Sequence, residues 1–150
     1  MLNAILAVML IAAAPVDRTP ATVVKVVDGD TIDVLVAGQT VPARVRLIGI
    51  DAPESSVNRR AYKQAERTGR DLAVILEMGK RSAAELAAFL KPGDPVTLEF
   101  DVERCDRYGR TLAYVYTADG TMVNLWLLKK GLAVRLTVPP NVKHAEEFGR

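Results

Sequence analysis

Two carboxylates and an arginine at the end of an apolar segment are the residues of this sequence best suited to chemistry. Asp51 and Glu54 follow the apolar segment 45–50, which contains Arg46. Pro53 cannot donate a backbone hydrogen bond, so strand pairing should stop here and leave both acids in a turn. Two acids and a cation at a strand end suggest metal and phosphate chemistry. A polar turn beside a solvated arginine explains this stretch, taken alone, equally well.

Two other polar stretches could join this one. Residues 28–31 read Asp-Gly-Asp-Thr, and Asp-Gly is a strong signal for a tight hairpin. Residues 106–110 read Asp-Arg-Tyr-Gly-Arg and place two arginines around a tyrosine in a charged loop. Each stretch alone could be an ordinary turn. A five-stranded barrel, however, can bring three such turns to one rim.

The order of the elements predicts such a barrel. Apolar alternation indicates five strands, and a run of good helix formers separates the third from the fourth. Gly69 and Gly79 are the points where that helical run could divide. We therefore predict an α+β fold: a five-stranded OB-fold, which is a Greek-key barrel, with a helix between strands 3 and 4 and C-terminal helices. The predicted strands are residues 23–27, 31–36, 41–50, 96–100 and 110–116, the helical run is 58–90, a short helix begins at Thr121, and the nucleic-acid-binding loops of the fold are 37–40 and 103–109.

The composition is that of an ordinary globular chain. It has 150 residues, 49% of them hydrophobic and 25% charged, and its net charge of +2 is too small to argue for nucleic-acid binding by itself. Cys105 is the only cysteine, which excludes a disulfide framework within the chain and a Cys-x-x-Cys metal site. His144 is the only histidine, so no Ser-His-Asp or zinc set can be assembled. We expect His144 to be structural or exposed.

The first residues have the character of an export signal. Residues 2–16 are almost wholly apolar but too few for a membrane span of about 20 residues. They match the apolar region of a signal peptide, with residues 12–14 as the cleavage candidate. An uncleaved N-terminus that anchors weakly to a membrane is the alternative, because no Lys or Arg precedes the run. We expect a secreted or periplasmic protein, with residues 1–20 as signal and linker (the linker being 15–21) and 21–150 as the functional domain.

Taken together, the three polar boxes resemble the staphylococcal nuclease (thermonuclease) family over residues 22–145. The boxes are DGDT, RLIGIDAPE and DRYGR, supported by Asn124 and by Gly131-Leu132-Ala133. The resemblance implies a Ca²⁺-dependent nuclease that hydrolyses DNA and RNA and leaves 3′-phosphate ends. We expect a monomer with nucleic-acid substrates, no obligate protein partner and no stable membrane span.

The resemblance also implies a role for each residue of the boxes. Asp30, Asp51 and the backbone carbonyl of Ala52 would bind one Ca²⁺, with water or substrate completing its six to eight oxygens. The family has Thr where this chain has Ala52, a change that a carbonyl ligand survives. Asp28 would orient these ligands. Glu54 would be the general base, Arg46 and Arg110 would bind the scissile phosphate, and Arg107 and Tyr108 would contact a neighbouring phosphate.

Two departures from the family pattern stand out. The helical run is longer than the family's, with extra sequence near residues 59–78, and residues 136–139 lack the tyrosines against which the family holds a nucleoside ring. Two other functions are open. An OB module could bind nucleic acid without cutting it, although the retained acids and arginines argue against this. An OB-type adaptor for proteins would leave that set unexplained.

Overall fold

The computed structural model describes residues 17–149. The predicted signal segment, residues 1–14, lies outside this range and remains a prediction. Within residues 17–149, no helix is long and apolar enough to cross a membrane.

Five strands close into a barrel in the order β1-β2-β3-β6-β5, with β3 and β6 parallel and the other neighbours antiparallel. Its interior is filled by alternating apolar side chains, among them Ile32, Val45 and Leu98, which are fully buried. The predicted five-stranded α+β barrel is thus confirmed. The elements are β1 Arg18–Asp28, β2 Thr31–Val36, β3 Ala43–Leu47, β4 Ile50–Asp51, α1 Arg59–Thr68, α2 Leu72–Phe89, β5 Pro95–Glu99, β6 Thr111–Thr117, α3 Val123–Lys129, β7 Val134–Arg135 and a 3₁₀ turn at Glu147–Gly149.

The first strand is longer than predicted. It begins at Arg18, and its first residues, 18–22, pair with β5. These residues include most of the segment predicted as a linker. Pro20 and its neighbours have weak local strand signals, so the strand there depends on the β5 partner, which local sequence does not reveal.

The third predicted strand, 41–50, is divided in two. Strand β3 ends at Leu47, and Gly49 has φ +81°, which is open to glycine and costly for other residues. After this turn, β4 pairs with β7 instead of continuing the barrel. The turn therefore takes the backbone of Asp51 out of the barrel sheet and into a separate two-stranded sheet with β7.

The helical run divides at Gly69 and not at Gly79. Asn58 caps α1 by accepting a hydrogen bond from the Ala61 amide, and Gly69 ends the helix in the left-handed conformation at φ +66°. Gly79 lies inside α2, where its missing side chain serves packing.

Helix α2 packs directly against the two acid-bearing turns. A Cβ on Gly79 would overlap the carbonyl group of Glu54 and come within 2.6 Å of the Ser55 amide nitrogen. A Cβ on Gly29, in the first hairpin, would lie 2.7 Å from Cβ of Ser82 in α2. Small residues at these contacts therefore let one rigid helix fix the positions of both turns.

The C-terminal segment is tied to the barrel by a buried acid. Glu99, at the end of β5, is 2% exposed and contacts Arg18 at 3.3 Å, Lys143 at 3.0 Å and His144 at 2.7 Å. Burial alone would raise the pKa of Glu99, but hydrogen bonds from His144 and Lys143 hold it below its usual value. His144 thus belongs to a structural cluster.

The close contact of Gly79 gives a stability prediction with a definite sign. In an ordinary helix interior, Gly→Ala stabilises by about 1 kcal/mol. Here we expect Gly79→Ala to destabilise by about 1–3 kcal/mol, because the methyl group meets the Glu54 backbone. Urea unfolding would measure the change. Ala84→Gly, at an exposed position of the same helix, is the control, because it reports the helix propensity of the two residue types without a packing contact. A stabilising Gly79→Ala would contradict the packing.

Candidate functional site

Arg46 is the centre of the site. It lies in β3, opposite Thr31 of β2, and is only 8% exposed. Its Nη1 donates hydrogen bonds of 2.8 Å to the carbonyls of Leu47 and Ile50. Its Nη2 lies 3.2 Å from Asp30 Oδ2 and 3.1 Å from Asp51 Oδ1. One guanidinium therefore joins the first hairpin to the short strand that follows β3.

The two acids lie close to a backbone carbonyl. Asp30 Oδ2 accepts a 2.8 Å hydrogen bond from the Ala52 amide. The side-chain nitrogen of Gln64 lies 3.4 Å from Asp51 Oδ2 and 3.3 Å from the Ala52 carbonyl oxygen. The three predicted metal ligands, Asp30, Asp51 and Ala52, are thus neighbours in the fold.

The donor chemistry of this group fits a hard cation. Two carboxylates and a carbonyl offer oxygen alone, which suits Ca²⁺ or Mg²⁺. Among residues 17–149, no group of three His, Cys, Asp or Glu side chains is arranged to hold a metal ion. The protein would therefore supply few ligands, and water or substrate would have to supply the rest.

Glu54 is held beside this group. Its Oε2 accepts a 2.7 Å hydrogen bond from Asn58, and its Oε1 lies 3.2 Å from Nε of Arg60. Its amide donates to Gln64 Oε1 at 2.9 Å. The side chain is 18% exposed, so it is both positioned and open to solvent.

Asp28 forms a hydrogen bond with the residue after Glu54 and not with the predicted metal ligands. Its Oδ1 accepts a 2.9 Å hydrogen bond from the hydroxyl of Ser55, the residue after Glu54. In the described part of the chain, it has no hydrogen bond with Asp30 or Asp51. Any orienting effect on the predicted ligands is therefore indirect.

Helix α1 and its cap contribute three residues that the sequence analysis missed. Arg60 Nη2 lies 2.8 Å from Asp51 Oδ1, the oxygen that Arg46 also contacts. Gln64 is 7% exposed and bonds to both ends of the 51–54 turn. The available signal was the spacing of Arg60 and Gln64, four residues apart and so on one helix face, shortly after the acids. Asn58, the third, combines capping of α1 with a bond to Glu54.

The DRYGR loop supplies the opposite wall. Arg110 Nε donates to Asp106 Oδ2 at 2.7 Å, and the Arg110 amide donates to Asp106 Oδ1 at 3.0 Å. Burial would raise the pKa of Asp106, but these bonds hold it below its usual value. Arg107 bonds to the Tyr108 hydroxyl at 2.8 Å, and Tyr108 is 68% exposed.

An open pocket of about 700 Å³ lies between Arg46 and Arg60 on one side and the DRYGR loop on the other, and its lining does not include Asp30, Asp51 or Glu54. Its apolar edge includes Leu136 and Val138, in the segment that lacks the tyrosines of the family pattern. The structure thus places the predicted phosphate-binding arginines around one space. Its lining includes four arginines: Arg46, Arg60, Arg107 and Arg110.

Comparison with known proteins identifies the family. Residues 44–150 match the family model described as staphylococcal nuclease homologue. The chain is 39% identical over 120 residues to a thermonuclease of Staphylococcus intermedius, covering 80% of this chain and 61% of that protein. It is 36% identical over 126 residues to a thermonuclease of Staphylococcus hyicus, covering 84% of this chain and 64% of that protein.

The same chain also matches part of a much larger protein. It is 35% identical over 126 residues to endonuclease YhcR of Bacillus subtilis strain 168, covering 83% of this chain and 9% of that protein. The chain thus spans less than two thirds of each of these relatives. The matched family model covers more than half of the chain and includes Arg46, Asp51, Glu54 and Arg110. The chain therefore belongs to the family of staphylococcal nuclease homologues.

Proposed function

We propose that this chain is a Ca²⁺-dependent phosphodiesterase that hydrolyses DNA and RNA and leaves 3′-phosphate ends. The observation that carries the proposal is the link that Arg46 makes between Asp30 and Asp51, beside a partly exposed Glu54. Relatives named thermonuclease and endonuclease support it. A module that only binds nucleic acid would need the arginines but would not need Glu54 at this position.

Each residue of the proposed site has a separate role in the reaction. Asp30, Asp51 and the Ala52 carbonyl would hold Ca²⁺, which when bound supplies positive charge for phosphate oxygens. Arg46 and Arg110 grip the phosphate through planar N–H forks and balance the charge that develops on it. Glu54 takes a proton from a water molecule while the oxygen of that water forms a bond to phosphorus. The bond to the 5′-oxygen breaks, that oxygen keeps the bonding electrons, and the phosphate stays on the 3′ side.

The pocket edge bears on substrate selection. Leu136 and Val138 are aliphatic and have no aromatic face on which a base could stack. Stacking on an aromatic side chain contributes about 1–3 kcal/mol per base. We propose that the pocket holds its substrate mainly through phosphates, with little preference among bases.

The proposed cation dependence can be tested on plasmid DNA and on RNA. We expect cleavage with Ca²⁺, none with a chelator, and less with Mg²⁺, because Mg²⁺ demands a tight octahedral geometry that a site built for a larger ion fits badly. The products should carry 3′-phosphate ends. A polymerase should therefore be unable to extend them until a phosphatase has removed the phosphate. Full activity in the chelator, or 5′-phosphate ends, would contradict the proposal.

The role of Glu54 can be separated from binding. Glu54→Gln should lower the cleavage rate by roughly 10²–10⁴, the usual contribution of a general base, while nucleotide binding is kept. Arg110→Lys should also lose rate, because a single ammonium cannot replace the fork. Glu77→Gln, on the exposed surface of α2, is the matched control. If Glu54→Gln cleaves at the normal rate, Glu54 is not the base.

The ion pairs of Arg60 predict competition with the cation. Arg60 neutralises Asp51 and Glu54 in the free chain, so its removal should free these oxygens. Half-exposed pairs contribute up to about 1 kcal/mol each, and only Asp51 is a proposed ligand, so Arg60→Gln should tighten Ca²⁺ binding up to about 5-fold. Calorimetric titration of Ca²⁺ without nucleotide measures this, with Arg81→Gln as control. Unchanged or weaker Ca²⁺ binding would show that Arg60 does not compete.

A further inference from the structure

Helix α1 and the two residues after it concentrate positive charge. The whole chain is nearly balanced, with 20 Lys and Arg against 18 Asp and Glu. Residues 59–70 nevertheless carry five basic residues and a single acid, Glu66. These residues lie in the helical sequence, near residues 59–78, that we expect to be additional to the family pattern. The basic residues are Arg59, Arg60, Lys63, Arg67 and Arg70.

Three of these cations form a stripe along one side of the helix. Arg59, Lys63 and Arg67 follow one another at intervals of four residues, and all three are exposed. The other side of the helix is buried through Ala61 and Gln64. The eight helical steps from Arg59 to Arg67 extend for about 12 Å. We call Arg59, Lys63 and Arg67 the α1 stripe.

The charge of the α1 stripe is not neutralised by neighbouring acids. In the chain from residue 17 to 149, none of its three side chains forms an ion pair. Some exposed cations elsewhere do so, for example Lys80 with Glu77 and Arg104 with Asp17, whereas Arg81 and Lys91 form no ion pair among residues 17–149. The stripe is therefore a positive surface on a helix whose position is fixed by the buried Gln64.

The α1 stripe is continuous with the proposed active site. Arg60 lies one residue from Arg59 and lines the pocket together with Arg46 and Arg110. At the other end of the helix, Arg67 shares the lining of a small cavity with Asp51. A ligand that leaves the pocket over Arg60 would therefore meet cations of the same helix.

We propose that the α1 stripe binds the phosphates of a single nucleic-acid strand next to the phosphate that is cleaved. This inference rests on the proposed function and adds a second binding surface to it. A strand within a duplex advances roughly 3.4 Å per nucleotide, and a single strand can be more extended, so about 12 Å faces at most three to four phosphates. Long substrates would reach both the pocket and the stripe, whereas a mononucleotide would reach only the pocket.

The test compares the binding of long and short ligands in the presence of Ca²⁺. The parent protein is the full chain with Glu54→Gln, because this change makes cleavage during the measurement negligible. The variant Arg59→Gln/Lys63→Gln/Arg67→Gln is compared with Lys80→Gln/Arg81→Gln/Lys91→Gln, which removes three exposed charges from α2 and the turn after it. Fluorescence anisotropy measures binding of a single-stranded 12-mer at several salt concentrations. Displacement by a nucleoside 3′,5′-bisphosphate measures the pocket alone.

We expect the α1 variant to bind the 12-mer at least about tenfold more weakly at low salt. The slope of log affinity against log salt should fall by about 2, since each phosphate contact on a single strand contributes roughly 0.7. Binding of the bisphosphate should not change, and the α2 control should behave as the parent. The single change Lys63→Gln should give about one third of the slope effect, and circular dichroism checks that each variant is folded.

The outcomes separate this inference from the proposed function. If the parent binds both ligands and the α1 variant binds the 12-mer like the α2 control, the α1 stripe is not a docking surface. Loss of binding only to a 12-base-pair duplex, with the single strand unaffected, would overturn it as well. If the parent binds neither ligand, the proposed function itself fails.

Discussion

The structure of the site depends on the need to neutralise one buried cation. The guanidinium of Arg46 is 8% exposed, and an unpaired charge in that position would cost several kcal/mol. Two backbone carbonyls accept hydrogen bonds from its Nη1 group, and two carboxylates contact its Nη2 group. Because the partners come from the first hairpin, the end of β3 and β4, satisfying Arg46 also brings these segments together. The acids are thus in place before any ligand arrives, which is what a preorganised site requires.

Helices α1 and α2 also fix the positions of these acids, because both contact the turns that carry them. Gly79 and Gly29 allow α2 to approach the backbone of both turns, and Ser82 of α2 bonds to the Leu132 carbonyl at 2.6 Å. Helix α1 adds Gln64 from the other direction, with bonds to both ends of the 51–54 turn. The barrel supplies the positions of the acids, and the two helices limit how far the acids can move.

The sequence predicts the parts of this arrangement that local pattern encodes. Alternating β-branched residues reveal the barrel strands, and the three polar boxes reveal the acids and arginines that meet at one rim. Long-range contacts are not encoded in this way. The strand character of residues 18–22 depends on β5, and Gly79 and Gly69 look alike in sequence although one packs and the other ends a helix. The sequence pattern does not reveal the role of Arg60, because Arg60 comes close to Asp51 and Glu54 only when α1 folds back on the turn.

We propose that one cluster of oxygens, held by Arg46 and paired with Arg60, binds the cation and that Arg46 and Arg110 bind the phosphate. A crystal structure of the chain with Ca²⁺ and a nucleoside 3′,5′-bisphosphate tests this most directly. We expect Ca²⁺ bound to Asp30, Asp51 and the Ala52 carbonyl, phosphate on Arg46 and Arg110, and Arg60 moved away from Asp51. Ca²⁺ bound elsewhere, or phosphate bound without contact to either arginine, would contradict it.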